Sequence, residues 1–367
     1  PVLIQAVPEG TILPTSNVLV QIVNTDPKCY WLTTHLETAL LRAVWYPTTV
    51  ATNSLNFKRI IQKSIDLSSD VPEQISFKLH DFGARGVASS EQACIGGAAH
   101  LVNFMGSDTI EGIQCAMKYY GGKMPGFSIP AMEHSTVTSW GRENEETAYR
   151  NMLNQFPEVP MLAAVSDSYD VYNAVERIWG GQLKSKVSGH HGTVVIRPDS
   201  GDPTIVPIEL IKILDKQFGS TINSKGFKVL NPKVRVIQGD SVSVDNIGTI
   251  LKNLNDAGYA TDNLAFGSGG ALLQSLNRDT LGFAMKCSSI YINGTVSEWR
   301  DVYKDPATQS SKKSKKGRLA LVKTDGKFQT IRLEELGKRY NHLETVFKDG
   351  VVTKKYTFDD VRTLASK

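Results

Sequence analysis

A mixed α/β fold, with a (β/α) barrel-like domain and a smaller, mostly antiparallel β domain, is what this sequence predicts. Three observations lead there. Short apolar runs rich in β-branched residues end abruptly in polar and glycine residues, segments of helical periodicity lie between them, and both ends of the chain depart from that alternation.

Taken in order, the predicted buried strands are Phe77–Leu79 before His80-Asp81-Phe82-Gly83, and Leu162–Val165 before Ser166-Asp167-Ser168. Thr193–Ile196 follows, before Arg197-Pro198-Asp199-Ser200-Gly201. The last two are Val234–Ile237 before Gln238-Gly239-Asp240, and Leu264–Phe266 before Gly267-Ser268-Gly269-Gly270. Between them Leu210, Ile211, Leu214 and Phe218 fall on one helical face, as do Ile247, Ile250, Leu251 and Leu254. In barrels and in open parallel sheets alike, ligands meet the carboxyl ends of the strands. Those ends are where the Asp, Arg, Ser and Gly residues stand. The terminal regions read as β-rich, giving expected boundaries of 1–30 for part of a small β domain, 31–287 for the barrel-like catalytic domain, and 288–367 for the remainder. No self-similar period of 20–50 residues occurs, which disfavours a solenoid.

At 367 residues the chain has ample material for a core, and 41% hydrophobic with 21% charged residues excludes wholesale disorder. No apolar run is long enough for a membrane span, and no secretory signal is readable. The first residue is not methionine, so an upstream piece is expected. Cys29, Cys94, Cys115 and Cys287 form no C-x-x-C pair and stand at no metal spacing, which fits reduced thiols in a cytoplasmic protein. A net charge of +4 is too small to imply a nucleic-acid binder.

The strand ends carry the candidate chemistry. Gly267-Ser268-Gly269-Gly270 fits either a phosphate cradle at a helix start, with Arg278 about two turns on, or a tight structural turn. It lacks the Lys-Ser/Thr of a P-loop. Arg197 and Asp199 place a guanidinium fork and a carboxylate at one strand end, suited to a diphosphate and to sugar hydroxyls or Mg²⁺. Asp240 and Asp167 repeat the carboxylate. His134 lies in a loop before a helix. The cluster Lys312-Lys313-Ser314-Lys315-Lys316-Gly317-Arg318 reads as a solvated loop or a polyanion contact; without interleaved aromatics it does not suit single-stranded nucleic acid. Together these groups suit a ligand that is both a sugar and a phosphate or diphosphate.

Longer motifs narrow the reading. Asn24-Thr25-Asp26-Pro27 with Cys29-Tyr30-Trp31-Leu32-Thr33, Lys78–Gly83 with Arg85-Gly86-Val87, His100–Phe104, Glu133-His134-Ser135-Thr136 and Ser166–Asp170 resemble the nicotinamide phosphoribosyltransferase family of type II phosphoribosyltransferases. So do Ile196–Gly201, Ile237–Asp240, Phe266–Gly270 and Lys313–Leu319, so that the resemblance covers nearly the whole chain in order. It implies a pentosyltransferase that joins nicotinamide to 5-phosphoribosyl 1-diphosphate in NAD salvage, uses Mg²⁺, and couples ATP through a phosphorylated histidine, here His134. It also implies a homodimer with shared active sites, and a segment upstream of Pro1 that supplies a tyrosine to the neighbouring site.

By the same resemblance, Phe82 stacks on the pyridine and Asp108 faces the nicotinamide amide, accepting from its NH₂ and repelling the carboxylate of nicotinate. Arg85, His134 and Arg197 surround the diphosphate, with Pro198 in the same substrate-binding set. Asp199 and Asp240 meet the ribose; Gly239, Gly269, Gly270 and Arg278 lie near the nucleotide phosphate. Asp167 and Asp199 hold Mg²⁺, while Lys304 and Lys312 reach the phosphates of the partner subunit's site. Ala163 and Ala284 replace serines of other members. The alternatives are the same transfer to nicotinate, against which Asp108 speaks, and a non-catalytic mononucleotide-binding regulator. An aldolase-type barrel is disfavoured, since no candidate Schiff-base lysine sits at a strand end.

Overall fold

The computed structural model describes residues 1–121, 123–308 and 313–367. It divides into two compact units, one of residues 1–49, 118–121 and 277–367, the other of residues 50–117 and 123–276.

The second unit is built on a six-stranded parallel sheet. In spatial order its strands are Gly106–Ser107, Leu79–Asp81, Leu264–Ser268, Val234–Gln238, Thr193–Arg197 and Met161–Val165. Leu162, Ala164, Val194, Ile196, Val236, Leu264 and Phe266 are all fully buried. Runs of this kind belong to parallel strands covered on both faces. The helices Val206–Phe218 and Val244–Asp256 bury the predicted stripes, Leu210, Ile211 and Leu214 in one, and Ile247, Ile250, Leu251 and Leu254 in the other. Phe57, Ile61 and Ile65, four residues apart on the long helix Leu32–Ser68, are buried as well.

The sheet curls towards closure through a segment with no regular strand of its own. Phe127 bridges Gly106 at one edge and Ala131 bridges Ala163 at the other, both in the parallel sense. Backbone bonds from Phe127 N to Met105 O (2.8 Å) and from Ala163 N to Pro130 O (2.9 Å) secure the two ends. Residues 127–131 thus satisfy backbone groups that open edges would leave unpaired.

One predicted strand starts later than expected. Pro72–Phe77 is a 3₁₀ turn that opens with proline at its first position, and Phe77 is exposed rather than buried; the strand begins at Leu79. The other four predicted strands appear, each extended by one or two residues at an end.

The first unit is mostly antiparallel. Val2–Ala6 pairs with Val20–Asn24 on one side and with Glu344–Lys348 on the other, and Val351–Val352 completes a four-stranded sheet. Two hairpins, Ser289–Ile292 with Glu298–Asp301 and Leu319–Thr324 with Lys327–Arg332, belong to the same unit. Its core gathers Val18, Leu321 and Leu343 with Val7, Leu13 and Phe328 around them. Among the described residues no helix is long and apolar enough to cross a membrane, and the four cysteines are free thiols.

Candidate active site

The carboxyl ends of the parallel strands bring Asp167, Arg197, Asp199 and His134 into one network. His134 opens the short helix His134–Thr138, just past the closing segment, and its Nε2 lies 3.0 Å from Asp167 Oδ1. A carboxylate only accepts, so Nε2 is the donor, and in the neutral tautomer that this bond selects the lone pair lies on Nδ1. That Nδ1 stands 3.9 Å from Asp199 Oδ2. The second Asp167 oxygen accepts from the Asp199 N–H at 3.0 Å and from the Ser200 hydroxyl. Arg197 holds the other side of Asp199, with Nη2 and Nε at 3.0 and 3.2 Å from Oδ1. The Asp167 side chain is only 4% exposed whereas that of His134 is 41% exposed, so Asp167 orients and His134 meets solvent or ligand. In Ser166–Asp170, the second carboxylate has a different task. Asp170 accepts from the N–H groups of Tyr172 and Asn173, capping the helix that follows.

Phe82 lies in the same group of strand ends, and glycines make room for its ring. A Cβ on Gly267 would fall 2.0 Å from Phe82 Cε2, and one on Gly239 would fall 3.1 Å from the same atom. On Gly269 it would stand 3.2 Å from the Phe82 carbonyl oxygen. The Arg197 guanidinium sits 5.4 Å from the ring centroid, a cation–π placement. The glycine segment therefore has a structural task, and the helix after it, Gly270–Leu273, is a single turn with little dipole to offer an anion.

Asp108 follows the strand Gly106–Ser107. Its Oδ1 lies 2.8 Å from His80 Nε2 and accepts from the Ser128 hydroxyl at 2.5 Å. Burial pushes this carboxyl up, but the hydrogen bond and charge of His80, the Ser128 bond and the Arg197 charge outweigh it, and it is held below the usual range. Neighbouring Asp81 goes the other way. It is fully buried, and burial pushes it up to about 6 although Gly83 N–H donates to its Oδ1 at 2.7 Å.

Phe82, Arg85, Asp108, His134, Asp167, Arg197, Pro198, Asp199, Gly239, Asp240, Gly269 and Gly270 all belong to the barrel-like unit. Arg85 is exposed in the turn Ala84–Gly86 after Phe82, and Asp240 accepts from the Ser241 hydroxyl at 2.7 Å. Arg278 and Lys304 belong to the first unit, where Arg278 pairs with Asp279 at 3.0 Å and the Lys304 N–H donates to Ser314. Lys312 lies outside the described residues. Much of the remaining basic cluster is partnered, Lys313 with Asp305 at 2.7 Å and Arg318 with Glu334 at 3.0 Å. Sequence reasoning assigned no role to His80 or Ser128.

Among the described residues no three His, Cys, Asp or Glu side chains converge to hold a metal. Asp167 has both oxygens engaged, whereas among the described residues Asp199 Oδ2 has only the long His134 approach. Such a donor set does not cage an ion by itself. It does fit Mg²⁺, which commonly takes one or two carboxylates together with substrate phosphates and water.

Comparison with known proteins identifies the fold and the family. The model of the nicotinate phosphoribosyltransferase (NAPRTase) family matches residues 77–351. The chain is 50% identical over 373 aligned positions to the nicotinamide phosphoribosyltransferase of Xanthomonas campestris pv. campestris, covering 100% of this chain and 79% of that protein. It is 30% identical to the nicotinamide phosphoribosyltransferase of Acinetobacter baylyi, covering 99% and 75%. The solved structure of human nicotinic acid phosphoribosyltransferase shares the fold, with a TM-score of 0.54 at 16% identity, covering 100% of this chain and 75% of that one. The parallel sheet with its charged strand ends is thus that of a phosphoribosyltransferase, and the chain belongs to the nicotinate phosphoribosyltransferase family.

Proposed function

We propose that the chain transfers the phosphoribosyl group of 5-phosphoribosyl 1-diphosphate to nicotinamide, giving nicotinamide mononucleotide and diphosphate in NAD salvage. The observation that carries the choice of base is Asp108, a carboxylate held ionised by His80 and Ser128 in the same set of strand ends as Phe82 and Arg197. An ionised carboxylate accepts from the nicotinamide NH₂ and repels the carboxylate of nicotinate. The two relatives at 50% and 30% identity are named for nicotinamide, which supports the same reading.

In the reaction the pyridine nitrogen bonds to C1 of the ribose as the C1–O bond breaks and diphosphate departs with its electron pair. The nitrogen already carries a free lone pair, so no general base is needed. Phe82 offers a flat face for the pyridine. Positive charge develops on the ribose, which Asp199 and Asp240 stabilise, while Arg197 and Arg85 neutralise the leaving diphosphate. Mg²⁺ bound with the diphosphate would supply Lewis-acid stabilisation of that leaving group, with Asp199 Oδ2 as its protein ligand and Asp167 behind it in the network. His134 serves energy coupling. Its Nδ1 attacks the γ-phosphorus of ATP and ADP leaves; water then takes the phosphoryl group from the phosphohistidine as inorganic phosphate, restoring the free imidazole and drawing the reaction towards product. Homodimerisation with shared sites completes the proposal, with Lys304 and Lys312 offered to the phosphates of the partner subunit's site.

Asp108→Asn tests the choice of base. Removing the charge is expected to lower the nicotinamide-to-nicotinate ratio of kcat/KM by about tenfold or more, the worth of one charged hydrogen bond. Parallel assays on the two bases measure it. An unchanged ratio would remove Asp108 from the account of selectivity.

A further inference from the structure

We infer that His80 is a positioning residue that latches Asp108 and thereby sets the preference for an amide over an acid; the inference rests on the nicotinamide reading above. His80 is the middle residue of the strand Leu79–Asp81, and its register partners on both sides are glycines, Gly106 and Gly267. Neither neighbour has a side chain to crowd the ring. A Cβ on Gly106 would stand 2.6 Å from His80 Nδ1, so the ring rests directly against that strand. Just beyond the end of the His80 strand, the Phe82 ring packs against the imidazole, with centroids 5.1 Å apart.

The latch follows from where the donors point. His80 Nε2, at 2.8 Å, and the Ser128 hydroxyl, at 2.5 Å, both converge on Asp108 Oδ1. That leaves Oδ2 as the oxygen to receive the amide NH₂. Exposure separates the roles, for the Asp108 side chain is 46% exposed and that of His80 only 15%. Asp108 therefore meets the ligand and His80 stands behind it. The bond also masks a hazard. An N–H of His80 left uncovered would suit the carboxylate of nicotinate, and Asp108 Oδ1 occupies it.

His80→Phe keeps a ring of similar bulk and removes the donor, whereas His80→Gln restores an N–H. In steady-state assays His80→Phe is expected to raise KM for nicotinamide about tenfold, with kcat changed by less than about threefold, and to lower the preference over nicotinate. His80→Gln should recover most of the loss. Because His80 acts through Asp108, His80→Phe combined with Asp108→Asn should be no less selective than Asp108→Asn alone. Thermal melting identifies a variant that fails to fold. In that event Gly106→Ala, which pushes the ring from behind, is expected to give the same loss of selectivity. Should the native enzyme prefer nicotinamide while folded His80→Phe prefers it equally, or should the double variant show the sum of both losses, the latch is overturned and the substrate reading stands. A native enzyme that turns over nicotinate and not nicotinamide would overturn both.

Discussion

Arg197→Ala is expected to lower kcat/KM for phosphoribosyl diphosphate by about a thousandfold, from the loss of an oriented cation at the leaving group. The Arg197 side chain is 10% exposed, bonds Asp199 Oδ1 through both Nη2 and Nε, and lies against Phe82. Its removal takes away the fork that would grip the diphosphate and leaves Asp199 without its cation. Truncating one member of a largely desolvated pair costs about 2–5 kcal/mol, and this pair's partial exposure places the expected stability loss near the lower end. Arg197→Lys keeps the charge without the planar fork, so it should recover stability better than activity. Initial rates over a range of phosphoribosyl diphosphate, with a melting curve for each variant, separate the two effects. Near-native kcat/KM in a folded Arg197→Ala enzyme would exclude Arg197 from leaving-group binding.

His134→Ala is expected to abolish the gain in mononucleotide yield that ATP provides, while some ATP-independent synthesis remains. The ring is held by Asp167 at Nε2 and leaves Nδ1 as its nucleophilic atom, on an exposed side chain. No other chemistry in the proposed transfer needs it, because the pyridine attacks unaided. Diphosphate binding should weaken as well, since Asp167 loses the donor at its Oδ1 and the network that holds the Asp199 N–H and Ser200 is loosened. Product yield with and without ATP, together with acid-labile phosphate on the native protein and none on the variant, reads the effect directly. Full ATP coupling in His134→Ala would exclude phosphorylation at this residue.

Much of the barrel was legible because its signals are local. Thr193–Arg197, Val234–Gln238 and Leu264–Ser268 are apolar runs that stop where the charged or glycine residues begin, and both stretches stand on one strand. The helices Val206–Phe218 and Val244–Asp256 announce their buried faces by spacing alone. Residues 127–131 were not legible, since they bridge each sheet edge at one residue and contain Pro130, with no alternation to mark a strand. The start of the first strand was misplaced by Phe77, whose apolar character is spent on an exposed 3₁₀ turn.

Within the site, the charged residues at strand ends could be picked out singly, but not their division of labour. Asp167 and Asp170 look equivalent in Ser166–Asp170, yet one orients His134 and the other caps a helix. The steric task of Gly267 depends on its register beside His80 and on where the Phe82 ring falls, which only the assembled sheet defines. His80 and Ser128 acquire a role for the same reason, through a meeting of three segments far apart in sequence.

The most direct test is mononucleotide formation by the native chain from phosphoribosyl diphosphate and Mg²⁺, with nicotinamide and nicotinate supplied in parallel. Product from nicotinamide with little or none from nicotinate is the expected result. Product from nicotinate alone would contradict the assignment of Asp108 and of the substrate, while leaving the fold and the phosphoribosyl half of the site as described.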